Sequence, residues 1–156
     1  MASSELAALA FELSQRRLDK AGAVLEELRS RTGVLLAASS LAASFLGNDA
    51  FRDGRWEPLA VVAIAAFLVS MVASVYVLLP RKGLIFALVG SVVYECLYGV
   101  EGGTEEVHRR LAYDLDRFWE DNDVKIRRLR VGFQLAAGGL IIEVLALVAL
   151  VADTIS

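Results

Sequence analysis

Leu59–Leu79 reads LAVVAIAAFLVSMVASVYVLL, 21 residues without a charge. At about 1.5 Å per residue, a helix of this length crosses a hydrocarbon core of about 30 Å. Pro58 suits its first turn and Pro80 stops its far end. Trp56 on one side and Arg81-Lys82 on the other have the character of interface anchors. The segment therefore predicts a transmembrane helix, and the rest of the chain is read outward from it.

The composition agrees with that class. Hydrophobic residues make up 56% of the 156 positions, against about 45–50% in soluble domains. Mean hydropathy is +0.55, and the excess lies in blocks, as expected of an integral membrane protein. A net charge of −3 gives no basis for nucleic-acid binding. The single cysteine, Cys96, allows no intrachain disulfide, and the single histidine, His108, allows no Cys/His metal cluster. No cofactor is expected. Residues 1–31 hold five cations and five anions and do not resemble a secretory signal.

Two further blocks flank the first. Thr32–Phe51, TGVLLAASSLAASFLGNDAF, has a short uncharged core that Arg31 can lengthen by snorkelling. Val131–Ala152 is interrupted only by Gln134 and Glu143. Gly83–Val100 is a fourth candidate, but it contains Glu95 and three glycines. The cations arbitrate. With three spans, fourteen Lys and Arg fall on one side and two on the other, a positive-inside pattern with a cytoplasmic N-terminus and an outside C-terminus. A fourth span would put the seven cations from Arg109 to Arg130 outside. Gly83–Val100 is therefore expected on the cytoplasmic face, interfacial or re-entrant.

The expected fold is all-α: an integral inner-membrane protein with three transmembrane helices. Residues 1–31 form a cytoplasmic amphipathic helix and 32–79 a transmembrane hairpin. Residues 80–103 form a cytoplasmic interfacial segment, 104–131 a long cytoplasmic helix and 132–152 the third transmembrane helix, continuous with it. In the first arm Leu6, Leu9, Leu13, Leu18, Ala21, Leu25 and Leu28 recur at helical spacing. In the second, Thr104 is placed to cap and Glu105 and Glu106 suit the first turn. From Val107 to Phe133 its apolar stripe returns to phase every eleven residues, with Asn122 in register. That stripe meets either the N-terminal helix of its own chain or a second copy.

Small residues mark the faces expected to pack inside the membrane. Gly33, Ala37, Ser40, Ser44 and Gly47 share one side of the first span, and Gly132, Ala136, Gly139 and Glu143 one side of the third. Ser70 and Ser74 form a shorter pair in the second. A carboxyl group near mid-membrane costs a few kcal/mol on insertion scales, about 2.5–3.5 at the centre, so Glu143 should face protein or water. Three roles are open: a protonated structural group bonded to Ser40 or Ser44, the lining of a polar path in an oligomer, or a proton relay. Glu143, Gly139, Ala136, Ser40 and Ser44 are thus the pore or helix-packing candidates. Lys125, Arg127, Arg128 and Arg130, in KIRRLR, are candidates for contact with anionic lipid or a phosphate-bearing signal. Gly102–Thr104 lacks the lysine of a phosphate loop, His108 is expected solvated beside Arg109 and Arg110, and no catalytic constellation is found.

The order of a helical N-terminus, RSRTGVLLAASSLAASFLG, a hydrophobic hairpin and then EEVHRRLAYDLDRFWEDNDVKIRRLRVGFQLAAGGLIIEVLALVAL resembles small membrane proteins common in actinobacteria. It is similar in layout to the SLATT and Pycsar-type transmembrane effectors of anti-phage defence. The resemblance covers nearly the whole chain and implies a non-enzymatic homo-oligomer. Such a protein would permeabilise the inner membrane on a nucleotide signal, and the resemblance identifies no nucleotide-binding residue. The contrasting expectation is a membrane-anchored scaffold or regulatory subunit that docks a cytoplasmic protein through its helices.

Overall fold

The computed structural model describes residues 3–49, 58–80, 84, 86 and 103–155, with side chains omitted at 3, 45–49 and 153–155. The expected interfacial segment Gly83–Val100 and the loop after Asp49 lie essentially outside the described residues. Among the described residues the protein is all-helical, without strands: α1 is Ser3–Asp49, α2 Pro58–Leu78 and α3 Gly103–Ile155. Among the described residues two helices, α2 and the apolar part of α3, are long and apolar enough to cross a membrane. The apolar part of α1 is not among them.

Local chemistry explains the helix ends. Pro58 is the first residue of α2, where the missing N–H costs nothing. At the other end the Leu79 amide donates to the Val75 carbonyl at 2.9 Å, and Pro80 can donate nothing further. α3 starts at Gly103, one residue before the expected cap at Thr104, with φ of +67°. That conformation favours glycine. Glu105 and Glu106 lie in the first turn, where negative charge suits the helix dipole.

Two compact units are formed, Met1–Glu26 with Arg81–Arg127 and Glu27–Pro80 with Arg128–Ser156. The first has a core of large residues: Leu18 and Leu25 from α1, with Leu111, Leu115 and Ile126 from α3. Each such side chain contributes about 1.5–3 kcal/mol on full burial. Polar contacts supplement that core. Ser14 Oγ donates to Asp116 Oδ1 at 2.9 Å, and the Arg17 guanidinium lies 5.9 Å from the Trp119 ring centre. His108, expected solvated, is half-buried and stacks on Phe11 with ring centres 5.4 Å apart. The leucine stripe of α1 also needs correction, since Leu6, Leu9 and Leu13 are exposed and Ser14 is buried. Leu6 and Leu9 precede the turn where the buried face is set, and Leu13 lies one position round the helix from it.

The second unit inverts that composition. α2 buries Ala60, Ala63, Ala66, Ser70, Ser74 and Val77. Thr32 and Ser39 are buried on α1, and Ala136, Glu143, Ala146 and Leu150 on α3. Such small faces let backbones approach closely. At Gly139 the approach is tight enough to require glycine, because a Cβ there would lie 3.0 Å from the Ala66 carbonyl oxygen and from Ser70 Cβ.

The buried positions of α3 qualify the eleven-residue period. Leu111 and Leu115 lead to Asn122 in that phase, but from there Asn122, Leu129, Ala136, Glu143 and Leu150 are buried seven apart. Phe133, the next residue of the eleven-residue stripe, is only half-buried. A seven-residue repeat is the left-handed packing period, so the expected period holds only for the first part of the helix.

Candidate functional site: a buried carboxyl group among hydroxyls

The seven-residue spacing on α3 brings Glu143 to the inside of the second unit, where it is fully buried. Ser39 of α1 lies beside its carboxyl group. Neither carboxyl oxygen makes a hydrogen bond of normal geometry, and the hydroxyl of Ser74, also fully buried, has none either.

The neighbouring hydroxyls form a chain whose direction can be worked out. Ser70 Oγ lies 3.0 Å from the Ala136 carbonyl oxygen, and a carbonyl can only accept. Ser70 therefore spends its single proton there. Ser39 Oγ lies 2.9 Å from Ser70 Oγ, so Ser39 must be the donor in that pair. This leaves Ser39 with lone pairs and no proton to offer.

The expected candidates divide accordingly. Glu143, Ala136 and Gly139 come together on the packed face of α3. Ser40 and Ser44 do not join them: both are exposed, donating to the Leu36 and Ser40 carbonyls of their own helix at 2.8 Å. The expected hydrogen bond from Ser40 or Ser44 to Glu143 is therefore not formed; the serine beside the carboxyl group is Ser39, without a hydrogen bond of normal geometry between them. A serine that back-bonds to its own helix needs no partner helix, which is why a small face alone misplaced the contact. The spacing Leu18, Leu25, Thr32, Ser39 would have located it, since these four buried residues follow one another every seven positions.

The basic cluster is likewise divided. Arg127 pairs with Asp123 at 2.7 Å, Lys125 is half-buried and engaged, and Arg128 and Arg130 are exposed. Near the start of α3, Arg109 and Arg110 both donate to Glu106 at 2.9 Å. These hydrogen bonds hold the Glu106 carboxyl below its usual range. Among the described residues no group of three or more His, Cys, Asp and Glu is arranged to hold a metal.

Set against protein-family models, curated proteins and solved structures, the chain matches none.

Proposed function

We propose that the chain is a non-enzymatic, oligomeric inner-membrane protein that permeabilises the membrane when a cytoplasmic signal reaches it. In this reading it crosses the bilayer three times, with α1 supplying the first span, the N-terminus cytoplasmic and the C-terminus outside. One observation supports it above others: both carboxyl oxygens of Glu143, with Ser39 beside them, and the Ser74 hydroxyl are buried without a hydrogen bond of normal geometry, in a unit packed from small residues. An unsatisfied buried polar group costs about 1–3 kcal/mol, so this seam gains by any rearrangement that lets water or another copy reach it. A carboxyl group at membrane depth is a functional candidate for the same reason. The signal would act on the first unit, to which both α1 and α3 contribute. A nucleotide is the trigger that the resemblance to anti-phage effectors suggests.

The test is induced expression with a membrane-potential dye. Wild type should depolarise cells under the trigger. Glu143→Leu should abolish the leak at equal membrane abundance, and Glu143→Gln, which keeps a polar group in the seam, should retain part of it. Unaltered leak in Glu143→Leu would overturn the role of the seam.

A second reading is favoured by a different observation. Leu6, Leu9 and Leu13 of α1 and Tyr113 of α3 are exposed on the first unit, Tyr113 at 72%. An exposed apolar patch of this kind suits protein docking and so a membrane-anchored scaffold. Absence of leak under every trigger would favour it.

A further inference from the structure

The second unit carries a groove of about 710 Å³ between α2 and α3, within the roughly 300–1,000 Å³ usual for ligand clefts. Leu68, Val72 and Tyr76 line it from α2, and Arg128, Val131 and Leu135 from α3. From Leu68 to Tyr76 the α2 wall extends about 12 Å along the helix. Gly132 sets the depth at one end, since a Cβ there would lie 3.1 Å from the Tyr76 ring and 3.0 Å from Val77. The wall is hydrocarbon apart from the Tyr76 hydroxyl and a single charge, Arg128. Among the described residues no carboxylate pairs with Arg128, whereas its neighbour Arg127 is held by Asp123.

A slot with a hydrocarbon wall and one unpaired cation at its end is complementary to a hydrocarbon tail with one anionic head. A second copy of this chain is a poorer occupant. Helices associate in lipid through small residues, and this wall presents leucines, valines and a tyrosine, with Val72 64% and Leu135 56% exposed. The small residues Gly33, Ala37, Ser40 and Ser44 lie elsewhere, on the outer side of α1.

We propose that this groove binds one acyl chain of an anionic phospholipid, whose phosphate is held by Arg128. Guanidinium–phosphate contacts are charge-assisted hydrogen bonds. The site would make the second unit sensitive to the anionic-lipid content of the leaflet on Arg128's side. The proposal rests on α2 and the apolar part of α3 being embedded in the bilayer, which retention of the chain in membranes after an alkaline carbonate wash checks separately.

The experiment is native mass spectrometry of the full chain in neutral detergent, with phosphatidylglycerol or phosphatidylcholine of identical acyl chains. Wild type should prefer phosphatidylglycerol by about tenfold, the scale of one charge-assisted contact. Arg128→Gln should bind the two lipids equally, while Arg117→Gln, which removes the same charge elsewhere, should keep the preference. Val72→Trp, which fills the groove from an exposed position, should weaken retention of both. Inorganic phosphate at matched concentration should not displace the lipid. Full displacement by phosphate would mark a plain anion site and overturn the proposal, as would equal retention of the two lipids by wild type. A two-chain mass that Val72→Trp splits, without lipid preference, would assign the groove to a second copy and also overturn it. Loss of the chain in the carbonate wash would instead refute the membrane reading beneath it.

Discussion

The first unit is held by what fills its interior and the second by what is missing from it. Leu18, Leu25, Leu111 and Leu115 fill the first, with Ser14, Arg17 and Asp116 adding polar contacts between helices. In the second, alanines, serines and Gly139 remove side-chain bulk so that backbones meet. Burial of large apolar groups stabilises a unit that folds in water. Where the surroundings are themselves hydrocarbon that gain vanishes, and close packing with satisfied hydroxyls has to replace it. The contrast therefore accords with a chain whose two units face different solvents.

That contrast can be broken by opposite kinds of substitution. Leu115→Ala, at a position 1% exposed, should destabilise the first unit by about 2–5 kcal/mol. Proteolysis or urea unfolding followed at Trp119 would read it. Ala136→Leu should be the counterpart in the second unit. Its site is fully buried, and overpacking costs about 1–3 kcal/mol, read as a lower Tm in detergent by circular dichroism. If Ala136→Leu is tolerated as well as a surface change, the close-packing account of the second unit fails. Gly33→Leu sharpens the comparison, because nothing lies within 4 Å of a Cβ there. It should leave the stability within about 0.5 kcal/mol of wild type, and a fall in oligomer mass would show that this side of α1 meets another copy.

Smaller effects test the polar contacts. Ser70→Ala removes the donor to Ala136 and the acceptor for Ser39, and should cost about 1 kcal/mol. It also frees the Ser39 proton, so Glu143 gains a donor, and infrared spectroscopy should show altered carboxyl hydrogen bonding. The smallest effect concerns Glu106. Its carboxyl is held low by Arg109 and Arg110, so its contribution is present above the usual carboxylate range. It is lost as pH falls through the lowered value. A slight decline in first-unit stability on acidification should be flatter in Glu106→Gln.

How far the sequence disclosed this arrangement follows the same division. The two prolines marked α2, because proline's missing N–H acts locally. Gly132, Ala136, Gly139 and Glu143 were legible as one face of α3, since close approach leaves small residues at regular steps. The packed face of α1 was not. It continues from Leu18 and Leu25 into Thr32 and Ser39, changing from hydrocarbon to hydroxyl as it goes, so a pattern sought in hydrophobicity alone does not follow it past Leu25. Ser40 and Ser44 drew attention instead, although their hydroxyls are satisfied within their own helix. Leu6, Leu9 and Leu13 misled for the converse reason, being apolar without being covered. Ser39 was missed because its importance comes from a proton already donated to Ser70, a relation between helices that linear spacing does not encode.

The account turns on whether the apolar half of α1 joins α2 and α3 in the bilayer. Reporter tags at both ends of the chain, scored for accessibility in intact cells, test this most directly. Three crossings predict a tag at Met1 shielded in the cytoplasm and a tag at Ser156 reachable from outside. Both tags on the same side would mean an even number of crossings and would contradict the three-span assembly around Glu143.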